Sequence, residues 1–219
     1  VLFRSDPDQD PAFAALARHL EAPSLELRAA ETSAARDVKL SSLYPVPPYK
    51  PKGGYTVDQA LVLGFARQES RFETEALSRS GARGVMQIMP ATAAILARDR
   101  SLARANRKKL DDPEYSMTLG QQYLNALLER QNGHLFELAA AYNAGAGNLD
   151  KWLTAQMGAG DPLMFVESIP IPETRDYIKR VMANVWMYRK RLGEPADGID
   201  EAAAGAWPVY KPSGTVAVR

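Results

Sequence analysis

The residues best suited to chemistry are carboxylates, phenols and amides. Glu69 follows Leu61 and Phe65 at i, i+4 and i+8, so a helix through this stretch puts its carboxyl on an apolar face. A carboxyl held against apolar surface keeps its proton to higher pH and suits general acid work near neutrality. The same spacing also fits a helix-end glutamate paired with Arg67, Arg71 or Arg79, and it leaves the two readings level. Gln87 is an amide among Val85, Met86, Ile88 and Met89; buried there, it must bond either neighbouring backbone or a ligand. Tyr142-Asn143 precedes Gly145 at a helix end, which sets a phenol and an amide at a loop mouth. Glu167 and the stretch to Tyr177 add further carboxylates and another phenol. Taken singly, each of these residues has an ordinary structural reading as core, cap or surface.

Other chemistries are excluded by composition. The chain has no Cys, which removes thiolate nucleophiles, disulfides, iron–sulfur clusters and Cys-ligated zinc. Its two His, His19 and His134, leave little for a metal centre or a Ser-His-Asp triad, and no metal or cofactor is expected.

The elements that must position these residues are mainly helical. Residues 12–38 read as two short helices rich in Ala, Leu and Glu, too small to bury their own faces and so expected to dock on the rest. The run from Leu43 to Gly54 holds four prolines and a Gly pair, an extended connector and domain boundary. Thr56 and Gln59 have capping-box spacing before a helix to about Ser70. Pro90 and Pro113 stand at first helical positions, the latter behind Asp112 as N-cap. The helix after Asp112 stops at Asn132-Gly133, another covers Leu135 to Tyr142, and a last one runs from Thr174 to Leu192. Only the region around Val85 to Ile88 suggests a strand. The tail from Gly193 reads as extended or disordered.

In combination the motifs are specific. Glu69-Ser70, Gly84-Val85-Met86-Gln87-Ile88-Met89-Pro90, Ala141-Tyr142-Asn143-Ala144-Gly145 and Glu167-Ser168-Ile169-Pro170 leading to Tyr177, in this order, resemble the catalytic domain of the soluble lytic transglycosylases. Val85 stands where Leu is commoner in that family. The resemblance covers residues 44–192. It implies a mainly α, lysozyme-like catalytic domain with a small β-hairpin or extended segment, preceded by a short helical pair. Residues 1–43 are then the remnant of a larger α-superhelical domain and 193–219 a tail. The resemblance further implies cleavage of the bond between N-acetylmuramic acid and N-acetylglucosamine in peptidoglycan, closing a 1,6-anhydro ring, with Glu69 as the single acid/base. It assigns Ser78 a contact with Glu69 or with the substrate N-acetyl group, and Gln87 and Met89 the cleft wall. Tyr142 is expected with its hydroxyl near the carboxylate, Asn143 beside it, Tyr177 lining the same cleft and Glu167 facing the substrate's peptide. The alternatives are a goose-type-lysozyme-like hydrolase in the same fold and an inactive wall-binding module.

The implied partners are glycan strands and their stem peptides, met by a monomer. A formal net charge of +1 argues against a nucleic-acid partner, although six basic residues against Asp99 alone crowd the stretch from Arg98 to Lys109. That run reads first as a solvated face and second as an attraction for an anionic polymer. No run is long and apolar enough to span a membrane. The chain opens at Val1 with no visible export signal. The resemblance places the protein in the periplasm of a Gram-negative bacterium, with a signal expected upstream.

Overall fold

The computed structural model describes residues 10–33, 40–158 and 160–212. The helical pair is α1 (Asp10–His19) and α2 (Pro23–Ser33), followed by the single turn α3 (Leu40–Leu43). Leu27 of α2 is fully buried in the same apolar cluster as the main core, so the pair docks as its composition requires. The last residues of the expected second helix, 34–38, lie outside the described residues.

The centre of the molecule is α4 (Gln59–Ser70). Every residue from Ala60 to Ala66 is buried, and a helix apolar on all sides belongs inside a ring of others. Its start differs from the capping-box expectation. Asp58 is the N-cap position, whereas the Thr56 hydroxyl accepts from Asn125 at 2.9 Å and the Thr56 N–H donates to Gln121 at 2.9 Å. A tertiary partner has taken over the hydroxyl that the local pattern reserved for the cap.

The helices α5 (Pro90–Leu96) and α6 (Pro113–Arg130) begin at their prolines, and the Asp112 carboxylate accepts from the Tyr115 N–H at 3.1 Å. Two 3₁₀ turns, Arg100–Ala103 and Arg107–Asp111, carry the basic run between them, with all six basic residues exposed. Next come α7 (Leu135–Ala144), α8 (Ala146–Thr154), α9 (Pro162–Ser168) and α10 (Pro172–Leu192). Among the described residues, β-structure amounts to isolated bridges; two of them, Leu77 with Arg83 and Arg83 with Ile88, form the small extended feature beside the site. No helix among them is long and apolar enough to cross a membrane.

The long helix α10 lies against α4 at backbone contact. A Cβ on Gly64 would stand 2.6 Å from Val185 Cγ2 and 2.9 Å from the Val185 backbone nitrogen. Polar bonds reinforce the seam, since Arg67 Nη1 donates to Asn184 Oδ1 at 2.9 Å.

The tail is more ordered than its composition suggests. It forms α11 (Ile199–Ala203), then returns along the start of α7, where Leu135 N–H donates to Pro208 O at 2.9 Å and Tyr210 N–H to Gly133 O at 2.8 Å. Its described residues run as far as a buried ion pair. Arg189 Nη2 meets Asp58 Oδ2 at 2.6 Å, with Tyr210 Oη donating to Asp58 Oδ1 at 3.1 Å. Partners on a neighbouring element give order to a segment whose own propensity is low.

Candidate active site

Glu69 occupies the last turn of α4, where the buried helix reaches the molecular surface. Among the described residues its carboxyl meets no arginine. Arg67 turns to Leu43 O, Asn184 and Glu31, and Arg71 to Glu31, so the surface ion-pair reading of Glu69 is not the arrangement found. Instead Tyr177 Oη, from α10, donates to Glu69 Oε1 at 2.5 Å. Burial raises the carboxyl from its usual 4.5 to about 7, and the Tyr177 hydrogen bond offsets only part of that rise. Near neutral pH it is therefore divided between acid and carboxylate.

Two phenols flank it. Tyr177 is 6% exposed and packs edge-on to Phe65 at 6.3 Å. Tyr142, from α7, packs on Phe65 at 4.8 Å and Tyr123 at 5.1 Å. Burial first, and the nearby Glu69 charge second, push both hydroxyls well above 10, so they stay neutral donors. Tyr142 gives its proton to Met86 O at 2.8 Å and not to Glu69. The phenol that bonds the carboxyl is the later one.

The opposite wall is the segment Gly84–Pro90. Ser70 Oγ donates to Val85 O at 2.8 Å and Met86 N–H to Ser116 Oγ at 3.2 Å, which fix the segment to α4 and α6. Gly84, at φ +74°, is required here, because a Cβ would stand 1.9 Å from Leu110 O. Gln87 takes φ +46° and directs Nε2 back to Ala76 O at 3.0 Å and Gly84 O at 2.9 Å. Both amide protons are spent on backbone, leaving Oε1 as an acceptor. Asn143 is the complement. Its Oδ1 accepts from Thr174 Oγ1 at 2.7 Å, so Nδ2 remains as a donor.

Met89 stands 40% exposed at the N-cap of α5, just beyond Gln87. Ser78 closes a turn, with its Oγ accepting from Ala82 N–H at 3.0 Å and its N–H donating to Ala82 O at 3.0 Å. In this structure its hydroxyl serves the loop. Glu167 does not join the group. It is exposed, pairs with Lys179 at 2.6 Å and sits on the rim of an apolar pocket of about 320 Å³ formed with Ile178, Met182 and Trp186. Those residues lie on another face of α10 from Tyr177, so helical geometry carries Glu167 away from Glu69.

A carboxyl of this kind can protonate a leaving oxygen and take a proton back, and Gln87 and Asn143 each keep one polar group not used by these bonds. Residues 48–165 match the Transglycosylase SLT domain family. The chain belongs to the SLT transglycosylase family. This SLT domain is 37% identical over 142 residues to the soluble lytic murein transglycosylase of Escherichia coli K12, a match covering 64% of the chain and 22% of that relative. Its fold is similar to the crystal structure of the 70 kDa soluble lytic transglycosylase of Escherichia coli, with TM-score 0.79 and 30% identity over 95% of this chain and 34% of that one. It is also similar to an inactive glutamate-to-glutamine variant of the lytic transglycosylase Slt from Pseudomonas aeruginosa, with TM-score 0.71 and 28% identity over 88% of this chain and 32% of that one. The chain thus spans about a fifth of the length of the curated relatives it matches first.

Sequence reasoning missed Thr174, the hydroxyl that orients Asn143. It is 1% exposed in the first turn of α10, and a buried hydroxyl three residues before Tyr177 was the available signal.

Proposed function

We propose that this chain is a peptidoglycan lytic transglycosylase with Glu69 as its only acid/base. The observation that carries the reading is the Glu69 carboxyl, raised to about 7 by burial and hydrogen-bonded by the Tyr177 phenol, with no ion pair to it among the described residues. Glycosidases that use water or a protein nucleophile set two carboxyls about 5–10 Å apart. A lone acid suffices when the sugar supplies its own nucleophiles.

Tyr177 occupies Oε1, so Oε2 carries the proton toward substrate. Glu69 delivers it to the glycosidic oxygen as the bond from muramyl C1 breaks, and the muramyl N-acetyl oxygen closes on C1. The Gln87 acceptor and the Asn143 donor suit the N–H and carbonyl of an N-acetyl group. Glu69, now a carboxylate, takes the proton of the C6 hydroxyl as that oxygen displaces the N-acetyl oxygen at C1. The 1,6-anhydro ring forms, the acid is regenerated and no water is consumed. Met89 lines the cleft, Ser78 holds its loop, and Glu167 takes no part.

The test is digestion of purified sacculi with mass spectrometry of the soluble products, wild type against Glu69→Gln. Anhydromuramyl ends that vanish in the variant are expected. Reducing ends would overturn the lytic step in favour of hydrolysis, and no released muropeptide would overturn the enzyme. The substrate class implies a periplasmic location. The structural likeness across 95% of the chain supports reading residues 1–43 as the end of a larger helical region.

A further inference from the structure

The backbone immediately after Glu69 is strained. Arg71 has φ +53° and Phe72 φ +65°, two successive non-glycine residues in the left-handed region, one turn from the carboxyl. Such a conformation persists only where its surroundings hold it. Phe72 is held from within, 1% exposed and edge-on to Tyr188 at 6.5 Å. Ser70 is held by Val85. Arg71 is held from the core only through its backbone, its N–H donating to Arg67 O at 3.1 Å as the C-cap of α4, while its side chain is 58% exposed.

That outer side belongs to α2. Glu31 reaches Arg67 through Oε1 at 3.4 Å and Arg71 through Oε2 at 3.2 Å. The two arginines stand two residues before and two after Glu69, so one carboxylate bridges the turn that carries it. One helical turn earlier on α2, Arg28 ion-pairs with Glu73, just past the strained residues. The ion pairs are seated, because Ala29 and Ala30 between them and Leu27 just before are buried.

We propose that α2 is a brace for the last turn of α4, with Glu31 as a positioning residue that acts on Glu69 through Arg67 and Arg71. The helical pair then does more than fill space, for it fixes where the acid points. The proposal rests on Glu69 being the acid of the reaction above. It makes the catalytic turn dependent on partly exposed ion pairs, which salt weakens.

The test uses the full chain with Glu31→Gln and Arg28→Gln, at a temperature where both are folded by circular dichroism. Two quantities are read: kcat and KM on sacculi, and the titration midpoint of the Glu69 carboxyl carbon by NMR, assigned through Glu69→Gln. A misplaced acid costs turnover and not binding, so Glu31→Gln should lower kcat about five- to tenfold with KM changed less than about twofold. A loosened turn lets water reach the carboxyl, so its midpoint should fall in both variants. Arg28→Gln decides between bracing and simple field effects. Loss of a positive charge would by field alone raise the midpoint, whereas loss of the brace lowers it. Wild-type kcat and midpoint in Glu31→Gln, or a raised midpoint in Arg28→Gln, would overturn the proposal. A wild type inactive on sacculi whose midpoint still falls in both variants would sink the reaction and leave the brace standing.

Discussion

The two ends of α4 treat a buried carboxylate in opposite ways. At its start Asp58, 0% exposed, receives an arginine, Arg189, itself 3% exposed, and a tyrosine hydroxyl. At its end Glu69 receives a tyrosine hydroxyl and, among the described residues, no cation. One carboxylate is matched by a charge and becomes a fastening; the other is left unmatched, as the proposed proton carrier requires. Burial alone does not mark a catalytic acid. The partner supplied to it decides.

The largest effect that sharpens this contrast is at Glu69. Glu69→Gln keeps the shape and the Tyr177 contact but removes the proton, and should lower release of muropeptides by at least about two to three orders of magnitude. At the other end the same kind of change should break the fold and not the chemistry. Asp58→Asn leaves the buried Arg189 with only the longer, partly exposed contact to Asp197 at 3.5 Å, and urea unfolding should report a loss of about 3 kcal/mol.

A third prediction concerns stability and pH. The folded state binds the Glu69 proton more tightly than the unfolded chain, so the stability it contributes is full below pH 4.5 and is lost as pH rises through about 7. Glu69→Gln escapes that loss. The variant should match the wild type at pH 4.5 and exceed it at pH 8 by up to about 3 kcal/mol, at about 1.4 kcal/mol per pH unit. Equal stabilities at pH 8 would mean that Glu69 is not unmatched, and the contrast would collapse. Activity should decline over the same range above pH 7, since the acid must be protonated. The smallest effect is at the shared tyrosine contact. Tyr177→Phe removes a bond that favours the charged carboxylate, so the alkaline limb of activity should move upward, by less than about one pH unit.

Much of this organisation was legible in the sequence. The i, i+4, i+8 spacing of Leu61, Phe65 and Glu69 put the carboxyl on an apolar face while leaving an ion-pair reading level with it, and Pro90 and Asp112-Pro113 located two helix starts, because these signals are local. What the sequence hid was partner choice across the chain. Thr56 gives up the cap because Asn125 and Gln121 claim it, and Tyr142 turns to Met86 while Tyr177 takes the carboxyl. Glu167 has the right type, but from α9 it pairs with Lys179 and lies against a face of α10 other than that of Tyr177. The tail after Gly193 reads as loose, yet Asp58 and Gly133 give it places to bond.

The absent side chain at Gly64 has a dimensional consequence. Glu69 rides on α4 and Tyr177 on α10, so their 2.5 Å contact is a span between two rods whose spacing is gauged where Gly64 meets Val185. A single methyl there would act as a shim 2.6 Å from the opposing side chain, prying the rods apart about one and a half turns below the acid. The calibre of the proton-transfer site is thus set by an atom that the sequence leaves out.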